Sequence, residues 1–202
     1  MAPGAHNPRV VDSNPAPATK KEKREKLMSE HRPRREDEVV ELSRFCQVGI
    51  VVKSIDETIK YYEKVFGFGP FEIRQVDFPN ATYYGEVAGY RGKRAFFYLG
   101  PIQIELIELI DGKTVHEDFL KEKGEGVHHI AFEVNNLEES KRNAEKAGLK
   151  VVQSFTRPDG SGFAYLDADK TGGLAFELIG RPVKKIEALL SDYKGHNNSY
   201  HA

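Results

Sequence analysis

An internal repeat limits what this chain can fold into more than any other feature. The segment VGIVVKSIDETIKYYEKVFGF, Val48 to Phe68, resembles HIAFEVNNLEESKRNAEKAGL, His129 to Leu149, at a shift of 82 positions. At that shift Ile50 meets Phe132, Val52 meets Val134, Ile55 meets Leu137, and Glu63-Lys64 meets Glu145-Lys146. Each segment reads as a short apolar strand followed by a helix. The helices carry acidic residues in the first turn, Asp56 and Glu57 in one and Glu138 and Glu139 in the other, where they oppose the positive end of the helix dipole. Each half also closes alike, with QIELI (Gln103 to Ile107) in the first and AFELI (Ala175 to Ile179) in the second. The pattern predicts an α+β fold of two βαβββ modules, residues 44–112 and 126–180, set side by side as an open curved sheet around one cleft.

The flanks read differently. Residues 1–40 combine half of the prolines with a mixed-charge run and few large apolar side chains, which predicts a flexible arm with room for one short helix over Lys20 to Glu30. After Pro182, the amphipathic run VKKIEALLSDY predicts a closing helix and a polar tail over 182–202. The 30 basic and 31 acidic residues nearly cancel, which removes any global electrostatic case for nucleic acid or an anionic membrane and favours a small-molecule partner. Cys46 stands alone, so no intramolecular disulfide forms, and no 18-residue apolar run is present. These features predict a cytoplasmic protein, expected as a homodimer.

The repeat also serves to search for a site, because equivalent positions of two packed modules face one cleft. Gln47 and His129 begin the two first strands, and Glu105 and Glu177 lie within the two last strands. A glutamate in an otherwise apolar strand is costly to bury unless it is paired or bound to a metal. A lone strand glutamate is ordinarily solvated, and Glu108, on the opposite face to Glu105, is assigned to solvent. Matched placement in both modules favours the metal: a glutamine oxygen, two carboxylates and one imidazole suit Zn, Ni, Co or Mn, with room for water or substrate.

The segments VGIVVKSIDETIKYYEKVFGF, RAFFYLGPIQIELIEL, GEGVHHIAFEVNNLEE and FAYLDADKTGGLAFELIG resemble the blocks of the vicinal oxygen chelate superfamily, which holds glyoxalase, methylmalonyl-CoA epimerase and the extradiol dioxygenases. The resemblance runs from about Arg44 to Gly180 and is nearest to the methylmalonyl-CoA epimerase and glyoxalase-like branch. It implies that His129, the second histidine of GEGVHHIAF, is a metal ligand. Gln47 stands where that branch has a ligand histidine, and the order Gln, Glu, His, Glu is similar to the zinc set of eukaryotic glyoxalase I. The glutathione-recognising features of that enzyme are not matched at Val48 to Val51 or at Leu109. Ala95 aligns with one of the epimerase's two acid-base glutamates.

The expected activity is that of a metal-dependent isomerase, epimerase or lyase, which removes a proton next to a carbonyl of a substrate chelating the ion through neighbouring oxygens. Glu177 is the expected base, with Glu105 second. His128 either supports the site from behind or points to the opposite face. Tyr83, Tyr84, Tyr90 and Phe97 are candidates to line a substrate pocket, against ordinary core packing. A glyoxalase I-type lyase and a non-catalytic ligand-sequestering protein are the alternatives; an extradiol dioxygenase needs a second histidine ligand, which Gln47 removes.

Overall fold

The computed structural model describes residues 44–181 together with Thr19, Val40 and Leu42. The expected arm helix and closing helix lie outside the described residues. Module one runs β1 (Arg44–Val51), α1 (Ile55–Phe66), β2 (Glu72–Phe78), β3 (Thr82–Tyr83), β4 (Glu86–Val87), β5 (Tyr90–Leu99) and β6 (Ile102–Gly112). The linking helix α2 (Val115–Lys123) leads into module two: β7 (Gly126–Val134), α3 (Leu137–Lys146), β8 (Val151–Thr156), β9 (Gly162–Leu166) and β10 (Ala175–Gly180). This is the expected βαβββ plan twice, with one addition. The segment TYYGEV forms a small hairpin, β3–β4, whose β3 pairs with β8 of the other module through Thr82–Ser154 and Tyr83–Gln153.

All ten strands form one curled sheet in the order β2-β5-β6-β1-β7-β10-β9-β8-β3-β4. The modules meet where β1 runs antiparallel to β7, and each of these two strands also pairs in parallel with the last strand of its own module, β1 with β6 and β7 with β10. This centre places Gln47, Glu105, His129 and Glu177 on four adjacent strands of one chain.

Helices α1 and α3 cover one face of the sheet. The acidic first turns fall where the sequence predicts, and Ser54 and Asn136 are the N-caps, their side chains accepting from the backbone N–H of Glu57 and Glu139. Gly67 ends α1 in the left-handed conformation that favours glycine. Ile55 and Ile59 of α1 pack on Val52, Ala95 and Leu106; Leu137 and Ala144 of α3 pack on Val134, Ala164, Leu166 and Leu178, joined by Val40 and Leu42 from ahead of β1. Glu108 departs from the solvated role expected for it: its Oε2 accepts from Ile55 N–H at 2.7 Å and so caps α1 from the neighbouring strand. The opposite, concave face carries the polar residues, and α2 packs over part of it with Val115 against Val152 and Tyr165.

Candidate metal centre

Two β-bulges shape the site. In the β1–β7 ladder Cys46 is an extra residue between the Phe45–Phe132 and Gln47–Ala131 pairs, and His128 is an extra residue between Gly49–His129 and Ile50–Val127. Cys46 and His128 are themselves 82 positions apart, so each module bulges just before its candidate ligand. A bulge re-aims side chains and often marks a functional position. Here it brings His128 and His129 to one side, with their Nδ1 atoms 3.1 Å apart. His128 therefore backs the site and does not point away from it.

The ring of His129 lies directly over Gly49. A Cβ at Gly49 would stand 1.9 Å from His129 Cε1, so only glycine leaves room for the ring in this position. His129 Nε2 then sits 3.1 Å from Glu177 Oε2 and 3.7 Å from Glu105 Oε2. His129 Nε2 and Glu177 Oε2 are buried, yet neither has a hydrogen-bond partner. Two orphaned atoms 3.1 Å apart that do not bond to each other fit a shared ion, since ligand atoms held about 2.0–2.2 Å from one cation stand roughly 3 Å apart. One ligand atom each from Glu105, His129 and Glu177 lies within 4.8 Å of the others.

Gln47 reaches the same cavity, about 310 Å³ in volume, beside Glu105, Glu177, Phe78, Arg157 and Phe163. Its Nε2 donates to Gln103 Oε1 at 2.8 Å, and Gln103 Nε2 donates to the Tyr98 hydroxyl at 2.9 Å. With the amide nitrogen so held, the oxygen is the end of Gln47 left for a cation.

Arg94 is the functional residue that reading the sequence missed. It is only 4% exposed, and its Nε lies 3.2 Å from Glu105 Oε1. Gly92 makes the space, since a Cβ there would meet Arg94 Nη1 at 2.5 Å. Burial raises the Glu105 carboxyl to about 6, a rise that Arg94 opposes and the Glu177 carboxylate reinforces. The site is thus a buried anionic pair with one internal cation beside it. The strand register is what reveals Arg94: it stands two residues from Phe96, the direct partner of Glu105, and so shares the cleft face.

Of the expected substrate contacts, Tyr90 is buried beside Arg94, whose guanidinium lies 6.0 Å from its ring. Tyr84 is 59% exposed and lines a different cavity, on the α2 side, together with His128. Phe97 packs against Tyr62, Phe68 and Phe71, on the helix side of the sheet and away from the carboxylates. Ala95 faces that side as well, in the α1 core, so the cleft-facing residues of this stretch of β5 are Arg94 and Phe96. Tyr165, opposite Glu177 on β9, was also missed; its ring lies 5.0 Å from His129.

A pH dependence follows. A carboxyl raised in the folded chain binds its proton more tightly there than when unfolded. Its contribution is most favourable below about 4.5 and is lost as pH climbs through about 6. The loss is on the order of 2 kcal/mol. Comparing thermal unfolding of metal-free wild type and Glu105→Gln from pH 4.5 to 7.5 should show the wild type losing ground to the variant as pH rises; parallel profiles would place Glu105 in an ordinary environment.

The comparisons agree with this architecture. The profile of the Glyoxalase/Bleomycin resistance protein/Dioxygenase superfamily matches residues 46–165. The uncharacterized protein YqjC of Bacillus subtilis (strain 168) is 29% identical over 139 residues, 68% of this chain and 91% of that protein. Two solved structures share the fold. Methylmalonyl-CoA epimerase from Mycobacterium tuberculosis is 22% identical with a TM-score of 0.51, over 73% of this chain and 93% of its own. A variant of the Streptomyces coelicolor methylmalonyl-CoA epimerase in complex with 2-nitronate-propionyl-CoA is 23% identical with a TM-score of 0.53, over 69% and 98%. No described helix is long and apolar enough to cross a membrane. With two βαβββ modules, a shared concave face and a profile match across more than half its length, the chain belongs to the glyoxalase, bleomycin resistance protein and dioxygenase superfamily.

Proposed function

We propose that the chain is a metal-dependent isomerase or epimerase that moves a proton at the carbon next to a carbonyl. The observation that carries this reading is the pair of orphaned buried atoms, His129 Nε2 and Glu177 Oε2, converging with Glu105. Gln47, Glu105, His129 and Glu177 would hold a divalent ion, which supplies polarisation of the substrate carbonyl and so acidifies the adjacent carbon. Glu177, which lines the cavity where the substrate carbon would stand, is the base. Glu105 is held in place by Arg94, which suits it to a ligand role. Phe78 and Phe163 give the cavity an apolar wall that excludes water, and Arg157, whose guanidinium lies 5.2 Å from the Phe155 ring, adds positive charge suited to an anionic substrate. An acyl-CoA thioester has that character, and the structural likeness to methylmalonyl-CoA epimerases supports testing one first.

The test is uptake of deuterium from solvent at the α-carbon of methylmalonyl-CoA and related 2-substituted thioesters, with protein assayed for bound metal by elemental analysis. Exchange should require a divalent ion and should fall by roughly 100-fold or more in Glu177→Gln, whose amide offers an oxygen to the metal but accepts no proton. Exchange within about threefold of wild type in that variant would remove Glu177 as the base. A second reading draws on the Arg94–Glu105 pair, which balances one carboxylate without any ion, as a ligand-sequestering protein would require. Protein that takes up no divalent metal would favour it.

A further inference from the structure

A second set of nitrogen donors lies behind the carboxylate site. His116, in the first turn of α2, joins His128 and His129 so that one ring nitrogen from each lies within 4.8 Å of the others, and all three residues are buried. Hydrogen bonding fixes the tautomer of His116. Val115 N–H donates to Gln153 Oε1 at 3.1 Å, so that oxygen is an acceptor, and Thr114 Oγ, 2.9 Å from the same oxygen, donates to it. With its proton engaged there, Thr114 Oγ can only accept from His116 Nδ1 at 2.9 Å. His116 is therefore protonated on Nδ1 and bears a lone pair on Nε2. That Nε2 is buried with no hydrogen-bond partner.

Such an atom is either a cost to the fold or a ligand waiting for its ion. The Nδ1 atoms of His128 and His129 share a hydrogen bond at 3.1 Å, a separation that also suits two imidazoles each standing about 2.0–2.1 Å from one ion once that proton is displaced. A cavity of about 320 Å³ on the α2 side, lined by His128, Tyr165, Phe119 and Asp118, gives a cation access.

We propose that His116, His128 and His129 form an all-nitrogen zinc site that overlaps the carboxylate site through His129. A neutral imidazole has one lone pair, so His129 serves one site at a time, through Nε2 with Glu105 and Glu177 or through Nδ1 with His116 and His128. Zinc(II) takes the three-histidine site and oxygen-preferring manganese(II) takes the carboxylate site. Only the manganese half rests on the proposed function.

X-ray absorption fine structure of the full-length wild-type protein loaded with zinc(II) tests this without a variant: the expected first shell contains three imidazoles. A shell with one imidazole, or failure to bind zinc, overturns the inference. Titrations with each ion alone separate the two readings. His116→Asn should weaken zinc binding tenfold or more while leaving manganese within about twofold, and Glu177→Ala, which removes the carboxylate donor altogether, should do the reverse. Equal losses of both ions in both variants would overturn the two-site arrangement. Wild type that binds zinc through three imidazoles and takes no manganese would sustain this inference and sink the carboxylate metal centre.

Discussion

Gly49→Ala is expected to abolish tight metal binding at the carboxylate site while leaving the sheet assembled. Gly49 sits between two site strands, paired with Glu105 on β6 and with His129 on β7. A methyl group there would lie 1.9 Å from His129 Cε1, 2.2 Å from Nε2 and 2.5 Å from Nδ1, well inside contact distance. The ring must therefore move by more than 1 Å, which is enough to misplace a ligand. It has little room to do so, being fully buried with Tyr165, His116 and His128 around it. Overpacking of this kind costs about 1–3 kcal/mol. Metal affinity should fall by about 100-fold, the upper end of the loss seen when a ligand's support is removed. Calorimetric titration and thermal unfolding of the metal-free protein measure the two effects separately. Affinity within about threefold of wild type would show that His129 does not bind metal in this orientation.

What the sequence revealed and what it hid follow the same line. The repeat exposed the fold and the four candidate ligands because a period of two modules makes equivalent positions comparable, and the structure brings Gln47, Glu105 and Glu177 to one cavity with His129 against both carboxylates. Strand parity was legible too and, applied to β5, would have separated Tyr90 from Phe97: seven residues apart, they face opposite sides of the sheet. Arg94 was hidden for a physical reason. A charged residue in a strand reads as solvated unless its partner is known, and its partner, Glu105, lies on the neighbouring strand. The bulge that turns His128 toward His129 was hidden as well, because a bulge belongs to the register between two strands and neither strand alone specifies it. His116 adds a third case, since only the packing of α2 over the concave face brings it to the other histidines.

Arg94→Leu should be the most destabilising single change at the site. Arg94 is buried and lies 3.2 Å from Glu105, which also faces the Glu177 carboxylate. Its removal leaves a buried carboxylate without its cation, which costs about 3–5 kcal/mol. For a chain of this length that corresponds to a fall in Tm of roughly 10 °C. The loss depends on pH. Without the guanidinium the Glu105 carboxyl rises further above about 6, so near pH 5 it is protonated in the folded state and the deficit is small. As pH rises past neutrality the charged form is forced on the folded chain, and the deficit grows. Removing both charges in Arg94→Leu with Glu105→Leu should recover much of the loss, because two apolar side chains can fill the space of a buried ion pair. A divalent ion supplies the missing positive charge, so saturating metal should narrow the gap between Arg94→Leu and wild type at pH 7.5. A deficit that is the same at pH 5 and pH 8 and that metal leaves unchanged would mean that Arg94 contributes packing alone and that Glu105 carries no charge in the folded site.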